Sequence, residues 1–438
     1  MKHRLVRVMV AISASAALLS VAGMTSAEAN PVASTLYVSA ASPQHGFAFN
    51  SPGRGGDRTG RGCDDASFLT ISAAVAAAST GTTIVICPGI YRENVVVPAT
   101  KQLTVEGLGN PVVDSPSTCT GPAAGVQVLS SGSEIEGLTV ENACGEGILV
   151  GSVPGAGDTV SNVTISGNTV INNDQGNPTG LPLGTGGLTA SPYGECNATP
   201  QPAPAPAVPG DCGEGIHLLS ADNSSVVGNE VRGDTGGILL TDENGPTYGN
   251  VIKNNDVSNN RYDCGVTVAG HNIALAGGVY DNIIVGNQIT GNGTLGQGAG
   301  VLLASPVPGD VSTYGTGGSV YNNVVQGNHI SGNGLGAVTL HSHAPGQNLS
   351  GNTITGNVIG TNNLAPDDDF GPTYQDLSTT GVIVVAVSPV TITIARNLIV
   401  NDVDGVYLGD AGGPGTITAI GVSSNLFLHV TNPVVTVP

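Results

Sequence analysis

The sequence contains no tryptophan, and Phe, Tyr and Trp together make up 3% of its 438 residues. Its core must therefore be built from small and branched aliphatic side chains, and a recurring aromatic carries positional meaning. Positive charge is equally scarce: 12 Lys and Arg stand against 32 Asp and Glu, giving a net charge of −20 and a pI near 4.4. Nucleic-acid binding needs many cations against the phosphates, so this balance excludes it. Charged residues of either sign are only 10% of the chain, with many Asn, Thr and Gly. Such a composition borders on disorder, but the apolar positions recur too regularly for that. Long apolar runs are missing after the first 29 residues, so no later segment reads as a membrane span.

Residues 1–29 read as a secretory signal peptide. Lys2, Arg4 and Arg7 form a basic start, Val8 to Met24 an apolar stretch, and Ala27-Glu28-Ala29 an A-x-A cleavage site. Cleavage removes three positive charges and Glu28, taking the charge from −20 to −22. An exported, extracellular protein is expected. Its seven Cys then imply disulfides with one thiol left over. Cys63 and Cys87 flank a predicted helix and are placed to tie it down. Cys144 and Cys212 each open the pentapeptide Cys-Gly-Glu-Gly-Ile, at 144–148 and 212–216. Stacked rows would bring them within disulfide reach; pairs Cys119–Cys144 and Cys196–Cys212 are the alternative. Cys264 is the expected free thiol.

What is abundant is glycine, 66 residues, about twice the usual share, and a repeat. Rows open on Gly237-Ile-Leu-Leu, Gly265-Val-Thr-Val, Gly300-Val-Leu-Leu and Ala337-Val-Thr-Leu. They close on Asn255, Asn287, Asn328 and Asn357, each with an apolar residue three before and two after. Period-2 apolar runs are strands, and self-similarity over 20–50 residues is a stacked fold. The closing position extends as Gly107, Gly137, Asn168, Asn229, Asn255, Asn287, Asn328, Asn357, Asn397 and Asn425, about ten coils. Equal positions in successive coils lie about 4.8 Å apart, so these Asn form a hydrogen-bonded ladder. The reading is all-β: one domain over 67–438, a strand and loop over 30–66, and a capping helix over 67–79 with Asp65 or Ser67 as N-cap. A Pro-rich insertion over 174–211 protrudes as a loop.

The helix, Gly81-Thr-Thr-Ile-Val-Ile-Cys-Pro-Gly-Ile-Tyr91 and the repeated Ile-x-Gly-Asn-x-Ile/Val unit, as in Ile165-Ser-Gly-Asn-Thr-Val170, resemble the right-handed parallel β-helix superfamily. That superfamily includes pectate lyases, polygalacturonases and NosD-like copper-site maturation proteins, and the resemblance covers about residues 67–430. It implies the fold and leaves the reaction open. The Asn-Thr-Asp, Asp-Asp, Gly-His-Gly and Arg-Ile-Lys set of polygalacturonases is absent from the central coils, as is the Asp-Pro-His-Asp of alginate epimerases. Pectate-type lyases use an Arg or Lys base, usually with Ca²⁺, and such cations are few here.

Three groups of residues are candidates for chemistry. Tyr248, Tyr280 and Tyr321 each stand seven residues before their ladder Asn, and each is followed two residues later by Asn250, Asn282 or Asn323. They form either a stack that stiffens a turn or a platform for sugar rings. Past the strand ends lie Asp242, Glu243, His271, His341 and His343. Aligned coils would put Glu243 about 5 Å from His271, and His271 about 10 Å from His343. A carboxylate beside an imidazole is an acid/base pair, and the bland alternative is a set of solvated loop residues. Asp367, Asp368 and Asp369, with Asp376 nearby, offer hard ligands for Ca²⁺ without the spacing of a known calcium loop.

The leading expectation is a secreted protein that acts on, or binds, an extracellular polysaccharide or cell-surface glycan along a lateral groove, as hydrolase or lyase. Glu243 or Asp242 would be acid or base, with His271 or His341 assisting. A non-catalytic structural or adhesive protein is the second expectation. NosD-like metal handling through His271, His341 and His343 is the third.

Overall fold

A computed structural model describes residues 34–40, 62–116, 124–152, 158–174, 214–270, 277–295, 298–305, 318–366 and 371–438. The signal-peptide segment, most of the Pro-rich insertion, His271 and Asp367 to Asp369 lie outside the described residues.

Each turn of the chain makes one short strand per face, and each strand pairs in parallel with the equivalent strand one coil on. Among the described residues these form four sheets. Face A has twelve strands, from Thr35–Val38 to Ile417–Ile420. Face B has eleven, from Ile90–Tyr91 to Leu426–Leu428, and face C has eleven, from Val95–Val97 to Asn432–Val437. Face D is a short sheet of five, from Val160–Ser161 to Val320–Tyr321. One coil runs A (Val251–Lys253), B (Asp256–Ser258), C (Val266–Ala269), D (Val279–Tyr280) and back to A (Ile283–Val285). The protein is a right-handed parallel β-helix.

The period-2 pattern sends one side chain per strand inward on faces A and B, and these close-pack as files. Ile165, Val226, Ile252, Ile284, Val325 and Ile354 line face A, all fully buried. Such files explain the scarcity of aromatics: a narrow triangular interior takes branched aliphatics in layers and has no room for a large ring. The main core cluster runs from Val38 to Val406.

Asparagine does more than the single expected ladder. Three ladders climb the three corners. Asn168, Asn229, Asn255, Asn287, Asn328, Asn357, Asn397 and Asn425 hold the A–B corner. Asn260, Asn292, Asn333 and Asn362 hold the B–C corner, and Asn250, Asn282, Asn323 and Asn352 the D–A corner. Within each, a backbone N–H and a side-chain Nδ2 both donate to the Oδ1 one coil on; Asn255 does so to Asn287 at 2.9 and 3.0 Å. Nδ2 also donates to a carbonyl of the preceding coil, as Asn287 does to Ile252 at 2.9 Å. These buried amides satisfy backbone groups that a sharp corner would otherwise orphan. The residue before most ladder Asn is left-handed: Gly286 at φ 68°, Asn254 at φ 55°. Glycine and asparagine reach that region most cheaply, and this is why the chain is rich in both.

Two expectations need correcting. Gly107 and Gly137 are not ladder positions: Glu136 pairs with Ser166, which sets Gly137 beside Gly167 and puts Leu138 beside Asn168. Leu138 N–H donates to Asn168 Oδ1 at 3.0 Å, so Asn168 begins the side-chain ladder. The helix is shorter than read, α1 spanning Ile71–Ala77 with Thr70 as N-cap accepting from Ala73 N–H. Its ends are closed from elsewhere in the chain. Glu93 Oε1 and Oε2 accept from the N–H groups of Ile71 and Ser72 at 2.7 and 2.9 Å. Lys101 Nζ donates to the Val75 and Ala76 carbonyls. Opposite charges thus sit at the two poles of the helix dipole. Ile71, Ala74 and Val75 plug the first coil, and the expected Cys63–Cys87 disulfide ties the helix to it. Cys144 is also disulfide-bonded, while its expected partners, Cys119 or Cys212, lie outside the described residues. Cys264 is the buried free thiol, as read from the sequence.

Candidate functional site

The tyrosine file is real. Tyr248 pairs in register with Tyr280 and Tyr280 with Tyr321 on face D. Their rings stack at centroid distances of 5.2 and 4.9 Å, 5° and 10° from parallel. The ring planes therefore face one another along the coil axis, and what the half-buried row offers outward is edges and hydroxyls. Partial burial raises the Tyr280 and Tyr321 pKa values, helped by the neighbouring rings and by Asp281, so these hydroxyls stay protonated donors. Asp222 continues the file beyond Tyr248. Asn250, Asn282 and Asn323, each two residues after its Tyr, belong to the D–A ladder and point inward.

The turn from face C to face D that precedes Tyr248 carries Asp242 and Glu243. Asp242 is buried, whereas Glu243 is partly exposed. Asn244 pins this turn to earlier coils: its N–H donates to Ser220 Oγ at 2.7 Å and its Nδ2 to the Ser152 carbonyl at 3.1 Å. Thr247 Oγ1 donates to the Thr241 carbonyl across the same turn.

His341 and His343 sit at the end of the face C strand Val338–His341, rings 4.5 Å apart and tilted by 58°. His341 is buried, and desolvation holds its pKa well below the ordinary value, so it is neutral. His343 Nδ1 bonds the Ser305 carbonyl at 2.8 Å, which makes Nδ1 the protonated nitrogen. In register, Thr241 stands level with Ala269, Ala304 and then His341. Three rungs of about 4.8 Å place the Asp242–Glu243 turn about 14 Å from this His pair along the axis. Those carboxylates and these imidazoles therefore do not share one reacting atom. His271, the expected bridge between them, is outside the described residues.

Sequence reading missed a third feature. His217 occupies an outward position on face C, between Leu149 and Leu239, and is 0% exposed. Its Nε2 is 2.8 Å from Thr241 Oγ1 and its Nδ1 3.5 Å from Glu146 Oε1. Carboxylate, imidazole and hydroxyl stand in the order of an activated nucleophile, but His217 and Thr241 are fully buried and present nothing to a substrate. The network instead anchors the strand that leads into Asp242. The signal was available: a histidine at an alternating apolar strand position, just after the second Cys-Gly-Glu-Gly-Ile. Asp376, expected near a calcium loop, accepts from Ser378 N–H and Thr380 Oγ1 in its own turn. Among the described residues no group of three or more His, Cys, Asp or Glu is arranged to hold a metal ion. None of the described helices is long and apolar enough to cross a membrane.

Residues 115–305 match the family model described as a right handed beta helix region. No curated protein matches the sequence. Similar solved structures include an alginate lyase from Paenibacillus sp. str. FPU-7, 15% identical, covering 82% of this chain and 95% of its own, with a TM-score of 0.48. The A-module of the Azotobacter vinelandii mannuronan C-5 epimerase AlgE4 is 15% identical, covering 83% and 91%, with a TM-score of 0.42. Pectate lyase Pel9A is 14% identical, covering 74% and 80%, with a TM-score of 0.39. At these identities the likeness concerns the fold alone. The winding and register of the described residues are those of a right-handed parallel β-helix, and the matched region, 115–305, lies within it.

Proposed function

We propose that the chain is exported and binds an extracellular polysaccharide across the face D edge, with the glycan lying over the tyrosine file. The observation that carries this reading is the row of three half-buried phenol edges, one per coil, each presenting a hydroxyl. Ring faces are already occupied by one another, so the row recognises hydroxyls through hydrogen bonds along a linear polymer. Asp222 and Asp281 flank it and the whole chain carries −20, which disfavours a polyuronate and favours a glycan without negative charge. Glu243, partly exposed where Asp242 is buried, is the acid or base for a hydrolytic or eliminative step at the adjoining turn.

The test is retention of the purified chain on a panel of neutral, amino and uronate polysaccharides, followed by assay of new reducing ends and unsaturated products. Binding to an uncharged glycan is expected, weakened about tenfold by Tyr280→Phe, as fits the loss of one hydrogen bond. Retention by no glycan, or strongest retention by polyuronates, would overturn the binding reading. A bound glycan left intact, or cleavage that survives Glu243→Gln, removes the catalytic assignment alone. A second reading, a structural or adhesive surface protein without catalysis, draws on the 14 Å separation estimated above from the rung spacing.

A further inference from the structure

We infer that the B–C corner holds two pH-sensitive joints, each a buried carboxylic acid that grips the point where a long connection leaves the corner. In five coils the chain passes from a B–C ladder residue to the first inward residue of face C in 4 to 9 residues, as from Asp234 to Ile238 or from Asn292 to Val301. Two coils differ: Ile216 comes 43 residues after Asn173, and Val382 comes 20 after Asn362. One coil on from each of these departures an aspartate takes the asparagine place, Asp234 beside Asn173 and Asp402 beside Asn362. Between them the rungs are Asn260, Asn292, Asn333 and Asn362. The A–B and D–A ladders are asparagine from Asn168 to Asn425 and from Asn250 to Asn352. Titratable rungs thus occur on one corner of three, and there they accompany the two long connections.

Each place is that of an asparagine in all but its donor. Asp234 Oδ1 accepts from Asn173 N–H and Nδ2 at 2.7 and 3.0 Å, and Asp402 Oδ1 from Asn362 N–H at 3.1 Å. Gly215 overlies Asp234 Oδ2 as Gly147 overlies Asn173 Nδ2 and Gly265 overlies Asn292 Nδ2. In such a place Asn260 Nδ2 donates to two acceptors, Asn292 Oδ1 at 3.0 Å and the Val231 carbonyl at 3.3 Å. An ionised Oδ2 meets acceptors there with nothing to give, whereas a protonated one supplies the missing donor. Both Oδ2 atoms are buried, with no hydrogen-bond partner among the described residues.

Other acids surround each joint. Asp174, the first residue past Asn173, accepts from Thr235 Oγ1 at 2.5 Å, and Thr235 adjoins Asp234. Glu146 faces Asp174, and Glu214 and Asp263 flank Gly236, two residues past Asp234. Arg232 acts on Asp234 from its own strand and is itself paired with Glu230 at 2.6 Å. Asp402 faces Asp404 and Asp376, the latter tied to the shorter connection by Asn363 Nδ2, which donates to its carbonyl at 2.8 Å. Tyr407 lies beside those two acids, and His429 bonds Asn401 from one coil on. Burial pushes Asp174, Asp234 and Asp402 up to about 7, and neighbouring carboxylates add to this for Asp174 and Asp402. The folded values exceed the unfolded one near 3.9. The joints are therefore tightest below about pH 4, weaken as pH rises to about 7, and stay level above that.

Residue-resolved hydrogen exchange of the purified chain between about pH 5 and pH 8, corrected for its intrinsic pH dependence, tests this. Protection of the Asn173, Asp174, Asn362 and Asn363 amides should fall up to about pH 7, by about tenfold per pH unit for each acid that opening exposes, and then level off. Coils of a solenoid contact only their neighbours, so the two joints should respond separately. Asp402→Asn should lower the slope at Asn362 and Asn363 by about one decade per pH unit and leave that at Asn173 and Asp174 unchanged; Asp234→Asn should do the reverse. Both variants install the residue that the other rungs carry, so the fold is kept. Protection at both joints that does not change with pH overturns the proposal. So does a slope that either variant lowers equally at both joints, because it reports opening of the whole β-helix.

Discussion

Asp234 stands in the B–C corner where the neighbouring coils place Asn173 and Asn260. Its Oδ1 accepts from Asn173 N–H and Nδ2 at 2.7 and 3.0 Å, as an asparagine would. Its Oδ2 takes the place of Nδ2, is buried, and has no hydrogen-bond partner among the described residues. Burial pushes its pKa up to about 7, against the pull of the Asn173 donors and Arg232. With the folded value above the unfolded one near 3.9, the native state holds a proton that the unfolded chain releases. Stability is therefore greatest below the unfolded pKa, falls as pH rises from about 4 to about 7, and is level above that. Asp234→Asn restores the missing donor to Asn260. It should stabilise the protein at pH 8 by roughly 2–4 kcal/mol and change little at pH 4, read as the difference between two urea-denaturation series. His341 acts in the opposite sense, because a buried neutral imidazole costs stability once acid would charge it, and it cancels in that difference. At the same scale, Asn287→Leu leaves the two Asn255 donors and the Ile252 carbonyl unmet. A loss of about 2–5 kcal/mol is expected by the same measurement.

Among elements, α1 shows how a short helix is held by charge borrowed from the first coil. Glu93→Gln removes the negative charge from its N-terminus and weakens two N–H acceptors; a loss of about 1 kcal/mol, seen as a lower Tm, is expected, with the rest of the β-helix unchanged. The start of α1 was misread because Asp65 and Ser67 satisfy the rule for an N-cap equally well in the sequence, and only the contact of Phe68 with Val38 forces extended backbone up to Thr70. The strands were legible, since alternating apolar residues and a closing asparagine repeat on every coil. Two of the three ladders were legible too, though not read: Asn250, Asn255 and Asn260 are five apart, as are Asn282, Asn287 and Asn292. The ring stacking of the tyrosines followed from their spacing. Their outward edges did not, because which way a ring plane turns depends on the partner above it. The His217 network was not legible, because its partners, Glu146 and Thr241, come from 71 and 24 residues away even though the histidine itself stands out in its strand.

At the scale of the molecule charge dominates: 12 Lys and Arg against 32 Asp and Glu leave a net charge of −20. The electrostatic reading predicts that retention by any uronate polysaccharide rises with salt up to about 0.15 M as like-charge repulsion is screened, while retention by a neutral glycan stays flat. Column retention against ionic strength checks it, and a neutral glycan whose retention collapses with salt would count against recognition through hydroxyls. The corner ladders have a further consequence. The three corners keep their five-residue spacing, so differences in coil length must fall elsewhere. From Asp234 to Asn250, Asn260 to Asn282, Asn292 to Asn323 and Asn333 to Asn352 the chain spends 16, 22, 31 and 19 residues. All of that variation lies on the flank bearing face C and the turns into face D. Evolution has thus been left one margin of the scaffold on which to rewrite length and chemistry, while the other two flanks stay locked as an inert spine.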